Sequence, residues 1–154
     1  MRLFRKSKKH TIEDPTFGNM EFRGGSWVGK VFFQPEGVEL SVCLSGDEVG
    51  PNEEARQQWS TLDKRYQSLK PQIASALLKL YREHFALLDQ KDLADDFPQI
   101  RTGEDVWSAF SLILIAVHPG RQFDLTYCFS GSNDDSLFVV SIKDETVACE
   151  HVGD

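Results

Sequence analysis

Histidines, cysteines, hydroxyls and clustered carboxylates are the side chains that could do chemistry here, so their spacing is read first. His10, His84, His118 and His151 lie in four separate stretches. None is two or four residues from another His, Cys or carboxylate in a recognised metal-ligand pattern. Glu83-His84 lacks the second histidine of an HExxH motif. His84, between Tyr81 and Phe85 near a helix end, suits the dipole there as a cation, and His118 before Pro119 ends a strand. No metal ligand set and no cofactor are expected.

Nucleophilic catalysis is equally hard to place. No GxSxG occurs, and Gly24-Gly25-Ser26-Trp27 and Ser130-Gly131-Ser132 read as turns. Gly24, Gly25 and Gly29 match neither dinucleotide nor P-loop spacing, and Lys30 falls inside a strand. Asp92, Asp95 and Asp96 form one carboxylate cluster, and Asn133, Asp134 and Asp135 another. The second lacks the sixth-position glycine and terminal glutamate of an EF-hand loop, so solvated turns are expected at both.

Four residues remain as candidates. Trp27 is expected in the core, although an exposed Trp27 beside its glycine turn would anchor a partner. His118, Asp124 and Tyr127 could assemble a site from distant positions at a sheet edge.

The elements that would position these residues follow from periodicity. Phe17 to Phe22 and Trp27 to Phe33 read as two strands joined by Gly24-Gly25. After Pro35-Glu36-Gly37, Val38, Leu40, Val42 and Leu44 alternate with polar positions as a half-buried antiparallel strand. Ala55, Trp59, Leu62, Tyr66 and Leu69 then follow a helical stripe, with Pro51 suited to its first turn, and Ile73, Leu77, Tyr81, Phe85 and Leu88 extend it. Pro71 removes a backbone donor and disfavours a helical Lys70, so two helices, 51–69 and 71–89, are expected. The unbroken phase of the stripe leaves a single kinked helix open.

Thr102 with Asp105 opens a short helix through Val106, Trp107 and Phe110, and Leu112 to Val117 reads as a buried strand ended by His118-Pro119-Gly120. Phe123, Leu125, Tyr127 and Phe129 share one face of the next strand, with Asp124, Thr126, Cys128 and Ser130 on the other. A hairpin closes the chain around Lys143-Asp144-Glu145. Strands, then helices, then strands predict an α+β fold: an antiparallel sheet of about six to seven strands packed on a helical hairpin plus a short helix.

With 154 residues, 40% hydrophobic and 27% charged, the chain has the size and balance of one domain that needs no disulfides. Residues 1–12 read as a basic, disordered leader and 13–154 as the domain. The uncharged run Val106 to Val117 falls short of the roughly 20 apolar residues of a spanning helix, and Met1 to His10 lacks the apolar core of a signal peptide. Cys43, Cys128 and Cys149 are widely spaced and read as reduced thiols of a cytoplasmic protein. Arg2, Arg5, Lys6, Lys8 and Lys9 hold five positives. Removing them from the net charge of −7 leaves −12 on the body, which disfavours nucleic acid and favours a basic protein partner.

Four stretches carry a resemblance: Asp14-Pro15-Thr16-Phe17-Gly18, Gly25-Ser26-Trp27-Val28-Gly29, Asp105-Val106-Trp107 and Leu125 to Val147. Together they resemble uncharacterised families of small bacterial cytosolic proteins, similar in style to the immunity proteins of polymorphic toxin systems. These are strand and turn signatures that specify shape, so no functional residue is carried over. The expectation is a non-catalytic protein-binding module, for example an immunity protein whose acidic face occludes a basic toxin. The alternative is a small enzyme or ligand binder built on His118, Asp124 and Tyr127.

Overall fold

Alternating apolar and polar residues drive much of this chain into strands, and the one long helical stripe covers one face of the sheet they form. The computed structural model describes residues 10–85, 100–130 and 137–152, the side chains of His84, Phe85 and His151 excepted. The expected leader up to residue 9, the Asp92, Asp95 and Asp96 cluster, the Asn133 to Asp135 loop and the His84 ring lie outside it. In chain order the elements are β1 (Thr11–Asp14), β2 (Gly18–Arg23), β3 (Ser26–Phe33), β4 (Val38–Asp47) and β5 (Gly50–Pro51). They continue with α1 (Glu53–Phe85), α2 (Gly103–Ala109), β6 (Phe110–His118), β7 (Gln122–Phe129), β8 (Leu137–Lys143) and β9 (Thr146–Val152). The fold is mixed α+β, with a nine-stranded sheet and two helices among the described residues.

Three expectations are corrected. The strand count is higher, because β1 and the two-residue β5 were not anticipated; Thr11 and Ile12, placed in the leader, pair with Glu21 and Met20. The sheet is also not wholly antiparallel. Its order is β1-β2-β3-β4-β6-β7-β8-β9, and β4 pairs parallel with β6, Val42 opposite Ile115 and Leu44 opposite Val117. The cause is the crossover: α1 carries the chain back to the end of the sheet where β4 began, so β6 must run the same way as β4.

The helical hairpin is the third. α1 is one helix of 33 residues that runs through Pro71. Ala55, Trp59, Leu62, Tyr66, Leu69, Ile73 and Leu77 are all buried along one stripe, while Pro71 is solvent-exposed. Continuing as one helix keeps both halves of the stripe on the same sheet face, and that burial outweighs the one hydrogen bond the proline removes. Pro51 lies in β5 before the helix, and Asn52 caps it, its Oδ1 accepting from the Ala55 amide at 2.8 Å. α2 opens as expected, with Asp105 Oδ2 accepting from the Thr102 amide at 2.9 Å.

The core lies between α1, α2 and the sheet face that carries Phe33, Leu40, Val42, Leu44, Ile115, Val117, Leu125, Phe129, Phe138 and Val140, all buried. Phe33 meets the rings of Trp59 and Tyr66, and Phe129 meets Tyr81. At Gly46 the chain passes so close to β5 that a Cβ would sit 2.3 Å from the Gly50 carbonyl oxygen and 2.9 Å from the Trp27 ring.

Candidate functional site

On the sheet face opposite the helices, strand register sets one row across the sheet: Val28, Cys43, Ala116, Asp124, Ser141 and Ala148. His118 ends β6 one diagonal step from Asp124, the two strands being joined by the tight turn Pro119 to Arg121. His118 Nε2 and Asp124 Oδ2 are 2.7 Å apart, and Ser141 Oγ donates to Asp124 Oδ1 at 2.7 Å. The carboxylate is thus held from both sides. With Nε2 turned to Asp124, the Nδ1 of the half-exposed ring meets no protein group among the described residues. Ser141 bonds the carboxylate and not the imidazole, so this is not the order of a serine–histidine–aspartate relay.

Tyr127 does not join this pair. It lies three residues from Asp124 on β7 and therefore points to the opposite face. There its hydroxyl is 3.0 Å from that of Tyr66, which donates to Glu36 Oε1 at 2.6 Å; Lys70 Nζ reaches the same oxygen at 3.1 Å. Lys70 also lies 4.5 Å from the centre of the Trp107 ring. Burial pushes both tyrosine hydroxyls well above the usual phenol range, and for Tyr66 the nearby Tyr127 and Glu36 push the same way. They stay protonated and tie the helix to the sheet.

Trp27 is fully buried, its ring 5.1 Å from Phe22 and 5.3 Å from His10, and its Nε1 donates to the Asp47 carbonyl at 2.8 Å. It cannot reach a partner. It instead fixes the turn in which Asp47 and Glu48 stand exposed.

That turn belongs to an acidic rim at the end of the sheet where His118 lies. Asp47-Glu48 after β4, Glu53-Glu54 in the first turn of α1 and Asp144-Glu145 between β8 and β9 are all solvent-exposed there. Hydrogen bonds tie the second and third to the turn that follows His118. Glu54 accepts from the Gly120 amide at 3.1 Å, the Asp144 amide donates to the Arg121 carbonyl at 3.4 Å, and Arg65 donates to the Asp144 carbonyl at 3.3 Å. Between them a groove of about 760 Å³ is lined by Gln57, Thr61, Arg65, Arg121, Asp144 and Glu145. None of these residues stood out as a site in the sequence. The available signal was that three Asp/Glu doublets each sit at a turn or a helix start.

Among the described residues, no group of three His, Cys, Asp or Glu side chains is placed to hold a metal, and no helix is long and apolar enough to cross a membrane. Cys43, Cys128 and Cys149 are unpaired and half-buried. Residues 16–130 match the family model described as domain of unknown function DUF6985. No curated protein and no solved structure matches the chain.

Proposed function

We propose, from the premise that this chain belongs to the DUF6985 family of domains of unknown function, that it is a non-catalytic protein-binding module whose acidic rim receives a basic partner. An immunity protein that covers a basic toxin or effector is the type of pairing meant. The observation that carries the proposal is the gathering of Asp47-Glu48, Glu53-Glu54 and Asp144-Glu145, from separate turns, at one end of the sheet. Arg65, Arg121 and Lys143 lie beside these six carboxylates and Arg56 is paired with Asp14, so the rim keeps a net negative charge that favours cations.

The chemistry fits recognition better than catalysis. Exposed carboxylates steer a basic surface into contact and set orientation more than they add affinity, and the His118 Nδ1 offers a directional contact beside them. Asp124, held by Ser141 and His118, fixes that ring in place. A bacterial cytoplasmic setting completes the proposal, and the unpaired thiols of Cys43, Cys128 and Cys149 suit it.

The test is affinity capture from the native host at low salt, with the wild type beside a variant carrying Glu53→Gln, Glu54→Gln, Asp144→Asn and Glu145→Gln. A stoichiometric basic protein is expected on the wild type, lost at high salt and lost with the variant. Absence of such a protein, or one retained equally by the neutralised rim, refutes the proposal.

A further inference from the structure

The two lateral edges of the sheet are built differently. β1, at one edge, is four residues long and carries Glu13 and Asp14. β9, at the other, is seven residues long, holds continuous register with β8, contains no proline and has Glu150 as its single carboxylate. Sheets blunt their edges with short strands, prolines, bulges or clustered charge, and β9 has little of this protection. Among the described residues no strand pairs with its outer side, so a row of backbone donors and acceptors is open to a further strand. Alongside it, between β9 and the second half of α1, runs a groove of about 660 Å³ lined by Pro71, Ser75, Lys79, Leu80, Val147 and Cys149.

We infer that β9 pairs antiparallel with β9 of a second copy of this chain, merging two sheets across a two-fold axis. Cys149 is the midpoint of the strand Thr146–Val152. An axis through it pairs the strand with itself over its whole length: Thr146 faces Val152, Val147 faces His151 and Ala148 faces Glu150. Like charges do not meet in that register, because each Glu150 lies opposite an alanine. The same axis sets the two α1 helices antiparallel on one face of the merged sheet. The groove wall there carries Lys79 and Glu83, one of each sign, so a second helix meets no single-sign field.

Net charge does not forbid the contact. The Asp144-Glu145 turn is four to five residues from the axis, so the turns of the two copies lie about 30 Å apart at a rise of about 3.4 Å per residue. Physiological salt screens charges beyond about 8 Å. The acidic rims point to opposite ends of the merged sheet and both stay open, so this inference stands or falls independently of the partner proposed above.

Ala148 gives the test its sign. It is exposed, and in the self-paired register it lies opposite Glu150 of the second copy. Sedimentation equilibrium of the full chain at physiological salt and micromolar concentration is expected to give a dimer. Ala148→Glu places two like-charge pairs across the seam and is expected to weaken it about tenfold, whereas Ala148→Lys creates two opposite-charge pairs and tightens it by a similar factor. Circular dichroism of each variant confirms that the chain still folds. A monomer throughout, or a dimer whose dissociation constant shifts the same way in both variants, overturns the inference.

Discussion

The hydroxyls of Tyr66 and Tyr127 meet 3.0 Å apart between helix and sheet, and the Tyr66 hydroxyl also donates to Glu36 at 2.6 Å. With that proton committed to Glu36, Tyr127 must donate to Tyr66, so the two phenols are not equivalent. Tyr66→Phe leaves the buried Tyr127 hydroxyl without an acceptor and is expected to cost about 1–3 kcal/mol. Tyr127→Phe leaves Tyr66 bonded to Glu36 and should cost only about 1 kcal/mol. Urea unfolding of both single variants and the double variant checks this. A larger loss from Tyr127→Phe would reverse the assigned direction of donation.

The same pair governs alkaline behaviour. Folding raises both tyrosine pKa values, chiefly by burial, so the native state holds these protons more tightly than the unfolded chain does. Their contribution is complete below the unfolded value of about 10 and declines as pH rises beyond it. Phenolate absorbance should therefore show Tyr66 and Tyr127 ionising together with loss of structure. Early ionisation of either in a folded chain would contradict the burial argument.

At the acid end Asp14 is the group to follow. Burial alone would raise its carboxyl pKa, but the Arg56 guanidinium and the amides of Thr16 and Phe17 together hold it below the usual carboxylate range. Stability from this group is present above about pH 3.9 and lost as pH falls through the lower folded value. Arg56→Met leaves the buried carboxylate without its countercharge. The expected cost is about 2 kcal/mol at neutral pH, reduced because Arg56 is partly exposed, and it should shrink in acid.

Pro71→Ala is expected to stabilise the chain. Proline costs about 3 kcal/mol relative to alanine inside a helix, partly offset by the freedom alanine restores to the unfolded state. Because Pro71 is exposed, its replacement removes no core contact. A gain of about 1–2 kcal/mol in urea unfolding, with an unchanged denaturant slope, is the expected outcome.

Gly46→Ala should act in the opposite sense. Its new Cβ would press on the Gly50 carbonyl and on the Trp27 ring, displacing β5 and the Trp27–Asp47 hydrogen bond. A loss of about 2–3 kcal/mol is expected, with a red shift of tryptophan emission as Trp27 gains water. Unchanged stability would mean that β5 moves aside freely.

Much of this architecture was legible because period two and period 3.6 are local signals. The alternation from Val38 to Leu44, the strand from Leu112 to Val117 and the closing turn at Lys143-Asp144-Glu145 needed nothing distant. Pro71 misled because its cost is local, whereas the burial of Ile73 and Leu77 that overrides it is tertiary. The β4–β6 pairing was hidden for the same reason, since no residue in either strand records which way its neighbour runs.

At the candidate site, parity held the answer for Tyr127. A separation of three along a strand puts Asp124 and Tyr127 on opposite faces, while the tight turn after His118 brings His118 and Asp124 together. The rim was harder to see, because its doublets meet only once α1 lies along the sheet.

The parallel pairing of β4 with β6 also bears on how fast the chain can fold. On either side of it the strands pair with sequence neighbours and can zip locally, but the junction itself must wait until the long stretch from Asp47 to Phe110 has closed on itself. Closing that loop is an entropic toll paid before any contact at the junction forms, so the rate-limiting barrier should sit there. Substitutions at Val42 or Ile115 would then slow refolding more than equally destabilising changes in the outer hairpins.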